Sequence, residues 1–192
     1  IQCCLVGSEM CIRDSENVVM TSSSHLSGTD RVNEAVSKLS LSDEDVVINI
    51  QGDEPFINPE DINNLFDLVS KKEIAMGTLY SDLKSLDELE DSNKVKILVN
   101  DGIASNFFRE TSLVNNIFIH QGVYAFKYKT LKSFVSWQPS DNEKKYKLEQ
   151  FRALDNGIKI NAIKSVSKIH LGVDTEDDLK KANEIAKDDS YK

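Results

Sequence analysis

The chain has 192 residues, 40% of them apolar and 29% charged, enough for one domain with a full core and ordinary for a globular protein. A formal net charge of -9 excludes a general nucleic-acid binder, which needs a basic face. It leaves room for a nucleotide, because a few local cations and a divalent metal override the mean field. No apolar run reaches the length needed to cross a bilayer, so no membrane insertion is expected.

All three cysteines, Cys3, Cys4 and Cys11, lie at the start of the chain. A disulfide framework would spread them through the fold, and a zinc site would need a fourth ligand, the nearest histidine being His25. Residues 1–15 are expected to be a non-native leader with neither the basic start nor the cleavage site of a signal peptide. Residues 16–192 are then a single domain without cysteine, which fits a reducing cytoplasm.

Residues 18–20 read as a short strand. A polar, hydroxyl-rich loop follows and leads into a helix from Thr29 or Asp30 to Leu39, with Val32, Ala35, Val36 and Leu39 on one face. The loop delivers Arg31 early in that helix. Hydroxyls and a guanidinium at a helix N-terminus suit an anion; plain capping by Thr29 with a solvated Arg31 is the alternative.

Residues 46–50 form an apolar run that reads as a strand buried on both faces. It stops at Gln51-Gly52-Asp53-Glu54-Pro55, where Gly52 allows a tight turn and Pro55 prevents the strand from continuing. Two acids therefore stand past the carboxyl end of a core strand, the edge at which open α/β sheets bind ligands. Asp53 is either a ligand for Mg²⁺, which one or two carboxylates hold together with substrate phosphates, or part of a solvated turn before the next helix.

That helix spans residues 59–71, with Ile62, Leu65, Phe66 and Val69 on its apolar face. A strand over 74–80 and an acidic loop or short helix over 82–90 follow. Asn100-Asp101-Gly102 marks a hairpin between strands over 94–100 and 103–108. Lys96 reads as an edge-strand charge. The apolar run 117–126 is a second core strand, interrupted by His120, more often a core residue than a catalyst, and by Gly122, which signals a bulge or a close ligand. Helices are expected over 128–136 and 143–156, the latter ended by Gly157, then a strand over 158–163. Residues 169–175 lead into a helix over 176–187. There Thr175-Glu176-Asp177-Asp178 approximates a capping box, and Asp174 either caps or serves a partner.

These motifs resemble a family when taken in order: His25-Leu26-Ser27-Gly28-Thr29-Asp30-Arg31, Gln51-Gly52-Asp53-Glu54-Pro55, Asn93-Lys94-Val95-Lys96, Phe107-Phe108-Arg109, His120-Gln121-Gly122-Val123-Tyr124, Trp137-Gln138-Pro139-Ser140, Leu148-Glu149-Gln150-Phe151-Arg152 and Gly172-Val173-Asp174-Thr175. They are similar to the 3-deoxy-manno-octulosonate (Kdo) cytidylyltransferases, or CMP-Kdo synthetases, from Glu16 to the end. The resemblance implies an α/β fold, a mostly parallel Rossmann-like sheet of the nucleotide-diphospho-sugar transferase type, with a smaller β-rich part for sugar binding and dimerisation. It implies CTP and Kdo as substrates, CMP-Kdo for lipopolysaccharide and pyrophosphate as products, Mg²⁺ as cofactor, a cytoplasmic location and a homodimer formed through strand 117–126 and the Trp137 loop.

By the same resemblance Asp53 and Asp174 are the catalytic metal ligands. Ser27, Gly28, Thr29, Arg31 and Gln51 contact the nucleotide. Arg109, His120, Tyr124, Glu149 and Gln150 line the sugar pocket, an arginine being suited to a carboxylate. Three departures stand out. The family's opening glycine-rich basic loop has no counterpart after Glu16, so an N-terminally truncated and poorly active chain is expected. The loop after Arg109 carries Glu110 and no second arginine. Phe108 and Gln121 replace smaller or aliphatic residues. CMP-sialate synthetase, another sugar nucleotidyltransferase of this fold, and a non-catalytic interaction module are the competing readings.

Overall fold

The computed structural model describes residues 19–25, 27–167, 169, 171–173 and 175–187. Helix α1 spans Gly28–Ser37, and its N-cap Ser27 accepts the Asp30 N–H on its hydroxyl, satisfying a donor that the first turn leaves unpaired. Helix α2, Pro59–Ser70, starts with proline where no N–H is needed and is capped by the Asn58 side chain. Helices α3 (Tyr128–Ser136), α4 (Asp141–Tyr146), α5 (Gln150–Asp155) and α6 (Glu176–Lys187) follow among the described residues. A full capping box joins Ser140 and Glu143 at α4. At α6, Thr175 and Asp178 exchange the same reciprocal bonds, with Asp in the place of Glu.

The strands are β1 (Val46–Asn49), β2 (Met76–Ser81), β3 (Lys96–Asn100), β4 (Ile103–Phe108), β5 (Ile117–Lys127) and β6 (Ile160–Lys164). The β3–β4 hairpin turns through Asp101 and Gly102 at φ 49° and 72°, the left-handed pair of a two-residue turn matched to strand twist.

β5 organises the sheet. One edge carries β2; the other carries β1 against its C-terminal half and β3 against its N-terminal half. β2 pairs in parallel with β6, β6 antiparallel with β4, and β4 with β3. The pairing β5–β2–β6–β4–β3–β5 therefore closes into a five-stranded ring, with β1 outside it. The α/β class holds, and β1, β2 and β6 share one direction. The sheet is mixed rather than mostly parallel among the described residues, because β5 runs against them.

One apolar cluster joins the sheet to α1, α3 and α5 through Val36, Met76, Phe107, Phe126, Leu131 and Phe151. A second, around Leu65, Val69, Leu79 and Val123, lies under α2. A fully buried Leu such as Leu65 contributes roughly 1.5–3 kcal/mol.

Several local expectations change. Val19 and Met20 adopt no regular structure. β1 alternates half-buried and buried residues, and Ile50 is exposed, since among the described residues β1 pairs only with β5. Phe66 is exposed on α2. The helix expected over 143–156 is two helices, broken at Lys147 with φ 55°. Lys96 is no edge charge: it has 0% exposure, because β3 lies inside the ring.

Candidate active site

β1 ends in a turn closed by the Glu54 N–H on the Gln51 carbonyl at 3.2 Å. Gly52 does not supply a left-handed residue to it. Asp53 is half-buried, and its carbonyl accepts the Val173 N–H at 2.8 Å. The segment before Asp174 is thus tied to the Asp53 turn, while Asp174 itself lies outside the described residues. The Gln51 amide packs on Gly28, where an added Cβ would sit 3.3 Å from it; glycine permits that approach.

The β5 ladder makes its own opening. Between Thr78 and Leu79 the partner jumps from Tyr124 to Gln121, so Gly122 and Val123 form the bulge that Gly122 suggests. The bulge falls between the stretches of β5 paired with β1 and β3, facing the turn after β1: a Cβ on Gly122 would lie 3.6 Å from Glu54 Oε1.

Thr78 fills the bulge from below. Its hydroxyl is 2.9 Å from both the Val123 carbonyl and His120 Nε2. A carbonyl only accepts, so the hydroxyl donates to it and takes the Nε2–H on its lone pair. That leaves His120 Nδ1 as an acceptor. Phe107 and Tyr124 flank the ring at 5.1 and 5.4 Å between centroids. Burial lowers its pKa to about 3, so the imidazole is neutral at ordinary pH.

The start of α5 faces this point. Glu149 accepts the Thr29 hydroxyl at 2.9 Å, and Asn49 donates to the same hydroxyl at 3.2 Å. Thr29 is fully buried, so its side chain turns inward to join the loop before α1 to α5. Burial raises the Glu149 pKa against the lowering effect of Thr29 and Ser27. Tyr124 donates to Gln150 Oε1 at 3.1 Å, and burial, then the Glu149 charge, holds its phenol well above the usual range. Next to them Arg152, 2% exposed, grips Glu143 with a two-pronged pair, reaches Asp30 at 3.4 Å and stacks on Phe134.

Two arginines expected at the site are bonded elsewhere. Arg31 donates to the Thr21 hydroxyl and the Ser22 carbonyl, holding the segment before α1 to that helix. Arg109, exposed, donates to the carbonyls of Ser92, Tyr146 and Lys147. Ser27 serves the α1 cap and Asp30. Gln51, Asp53, His120, Tyr124, Glu149, Gln150 and Thr29 converge around the opening between β1 and β3.

Sequence reading missed Asn49 and Thr78. A lone polar residue inside an apolar run was the available signal for Asn49; nothing local marks Thr78. Strand 117–126, expected at a dimer interface, has pairing partners on both edges and several half-buried residues. Trp137 is half-buried and lines a separate cleft of about 370 Å³ with His25, Asn33, Glu34 and Pro139.

Among the described residues no side chain bonds the Asp53 carboxylate, so it could hold a divalent ion. The described residues contain no cluster of three or more metal-ligating side chains.

Comparison with known proteins gives the family. The cytidylyltransferase family model matches residues 8–160, beginning within the stretch set aside as a leader. A 3-deoxy-manno-octulosonate cytidylyltransferase 2 of Actinobacillus pleuropneumoniae serotype 5b is 35% identical, over 93% of this chain and 77% of its own length. A 3-deoxy-manno-octulosonate cytidylyltransferase of Histophilus somni is also 35% identical, over 88% and 73%. A solved CMP:2-keto-3-deoxy-manno-octonic acid synthetase complexed with CTP superimposes with a TM-score of 0.81 at 29% identity, covering 91% of this chain and 74% of that one. An inositol-1-phosphate CTP transferase from T. maritima, 18% identical with a TM-score of 0.60 over 87% of this chain and 71% of its own, shares the fold. Matched by the family model over most of its length and by these relatives over about three quarters of theirs, the chain belongs to the 3-deoxy-manno-octulosonate cytidylyltransferase family.

Proposed function

We propose that the protein transfers CMP from CTP to Kdo, giving CMP-Kdo and pyrophosphate. The observation that carries this reading is the Thr29–Glu149 hydrogen bond, which sets the loop of Ser27 and Gly28 directly beside the Glu149-Gln150 pair. The loop and Gln51 serve the nucleotide; His120, Tyr124, Glu149 and Gln150 serve the sugar. The anomeric hydroxyl attacks the α-phosphorus in line, the bond to the bridging oxygen breaks, pyrophosphate leaves and the hydroxyl proton passes to solvent. The protein's part is placement and charge. Neutral His120 offers an acceptor to a sugar hydroxyl, and Glu149 and Gln150 fix the ring through groups already anchored to Thr29 and Tyr124.

Asp53 and Asp174 would hold Mg²⁺ together with the CTP phosphates; the Val173–Asp53 bond supports their proximity. The ion would lower the pKa of the attacking hydroxyl and offset charge on the phosphates. Supply of activated sugar for lipopolysaccharide, a cytoplasmic location and a homodimer formed through strand 117–126 and the Trp137 loop belong to the same proposal.

The test is incubation with CTP, Mg²⁺ and either Kdo or sialate, with products identified by mass spectrometry. CMP-Kdo formation supports the reading, and CMP-sialate in its place would move the enzyme to a neighbouring specificity. Asp53→Asn should lower turnover by a hundredfold or more with an unchanged circular dichroism spectrum. Undiminished turnover in that variant removes the metal role from Asp53.

A further inference from the structure

Helix α4 ends at Tyr146 and the chain reverses through Lys147 in the left-handed region, at φ 55° and ψ 48°. Glycine usually stands at such a reversal and is absent here. Another element supplies the donors that the helix end lacks. Arg109 Nε donates to the Tyr146 carbonyl at 3.2 Å and Nη2 to the Lys147 carbonyl at 3.1 Å, while Nη1 reaches the Ser92 carbonyl at 3.1 Å. A rigid fork of donors is suited to several acceptors at once.

The main chain of Arg109 is itself fixed. Lys96, with no exposed surface, directs its ammonium to the carbonyls of Arg109, Asp91 and Lys94 at 2.5, 2.6 and 2.8 Å. All three of its protons are thereby matched to main-chain acceptors in the segments that flank β3 and β4. Past the reversal, Leu148 turns into the core at 5% exposure. The next two residues are Glu149, on Thr29, and Gln150, on Tyr124.

We infer that Arg109 is a positioning residue: seated by Lys96, its guanidinium holds the reversal after α4 in the register that delivers Glu149 to Thr29 and Gln150 to Tyr124. The inference rests on the site proposed above and deepens it at one residue. Arg109 acts through main-chain carbonyls on the shape of the sugar half, rather than on the sugar's carboxylate.

The distinction is readable without any ligand. A residue that only binds substrate leaves the free protein unchanged when removed. A positioning residue does not. In Arg109→Ala, amide hydrogen exchange at residues 147–152 should accelerate tenfold or more, while residues 76–79 of β2 stay at the wild-type rate. Arg109→Lys, which keeps the charge and loses the fork, should recover part of the protection. Isotope-edited carboxyl spectra give a second signature. The Glu149 carboxyl should titrate at a lower pH in Arg109→Ala than in the wild type, and Arg109→Lys should lie between. If Arg109→Ala does not fold, Arg109→Gln carries the same two measurements. Wild-type exchange at 147–152 and an unmoved Glu149 titration overturn the inference. Failure of the catalytic reading shows separately, as absence of CMP-Kdo from the wild-type protein.

Discussion

His120 changes its chemistry on folding. Its pKa falls from an ordinary 6.5 to about 3, so the unfolded chain binds a proton there that the folded chain refuses. Stability must therefore rise with pH across that interval. Above about 6.5 both states are neutral and the group contributes nothing; as pH falls toward 3 the penalty grows. Glu34, held down to about 2 by the Ser22 backbone N–H and then His25, adds its own acid loss only below the ordinary carboxylate range. Between pH 6.5 and 4.5 the histidine effect is separable from it. We expect His120→Gln, which can still meet the Thr78 hydroxyl, to flatten the pH dependence of the urea midpoint in that interval. An unchanged slope would show that the ring is not desolvated as described. His120 was legible in sequence because it interrupts an apolar run, as was Gly122. Thr78 was not, because its role is set by a bulge in a partner strand far away in the chain, and no local pattern encodes that.

At the scale of elements, caps and turns were the readable features. Asp101-Gly102 and Thr175 to Asp178 each carry their geometry in their own chemistry. The break between α4 and α5 was hidden: residues 143–156 are continuous helix formers, and the carbonyls at the break are met by Arg109 from a distant strand. Lys147 in a left-handed conformation costs a non-glycine residue about 1 kcal/mol. Lys147→Gly should therefore raise the unfolding free energy by about 0.5–1 kcal/mol, read from chemical denaturation, with no change in the exchange pattern at Glu149. Destabilisation would mean that the lysine side chain has a role its position does not suggest. The same remoteness hid Lys96, whose buried ammonium looks like an edge charge until the ring around it is drawn.

The whole molecule is joined by a few long-range polar contacts. Asp61, fully buried in the first turn of α2, accepts the Ser165 hydroxyl at 2.5 Å and the Val166 N–H at 2.8 Å. It fixes the exit from β6, upstream of the Val173 contact with the Asp53 turn. Asp61→Ala leaves the buried Ser165 hydroxyl and the Val166 N–H without their acceptor and should cost about 1–3 kcal/mol, measured by thermal or urea unfolding. Loss of less than about 1 kcal/mol would show that water replaces the carboxylate. The α/β class and the order of most elements could be read from apolar periodicity. The strand order could not, since β1, β2 and β6 share a direction only because β5 is inserted against them.

The last strand among the described residues also sets a limit on biosynthesis. β6 begins at Ile160 and lies between β2 and β4. Until the ribosome has released that segment, one edge of each neighbour lacks its mate, although both were translated long before. Such bare edges recruit other chains. Nascent copies that stop short of Ile160 should therefore clump during translation, and a chaperone's window of protection must outlast the emergence of that strand.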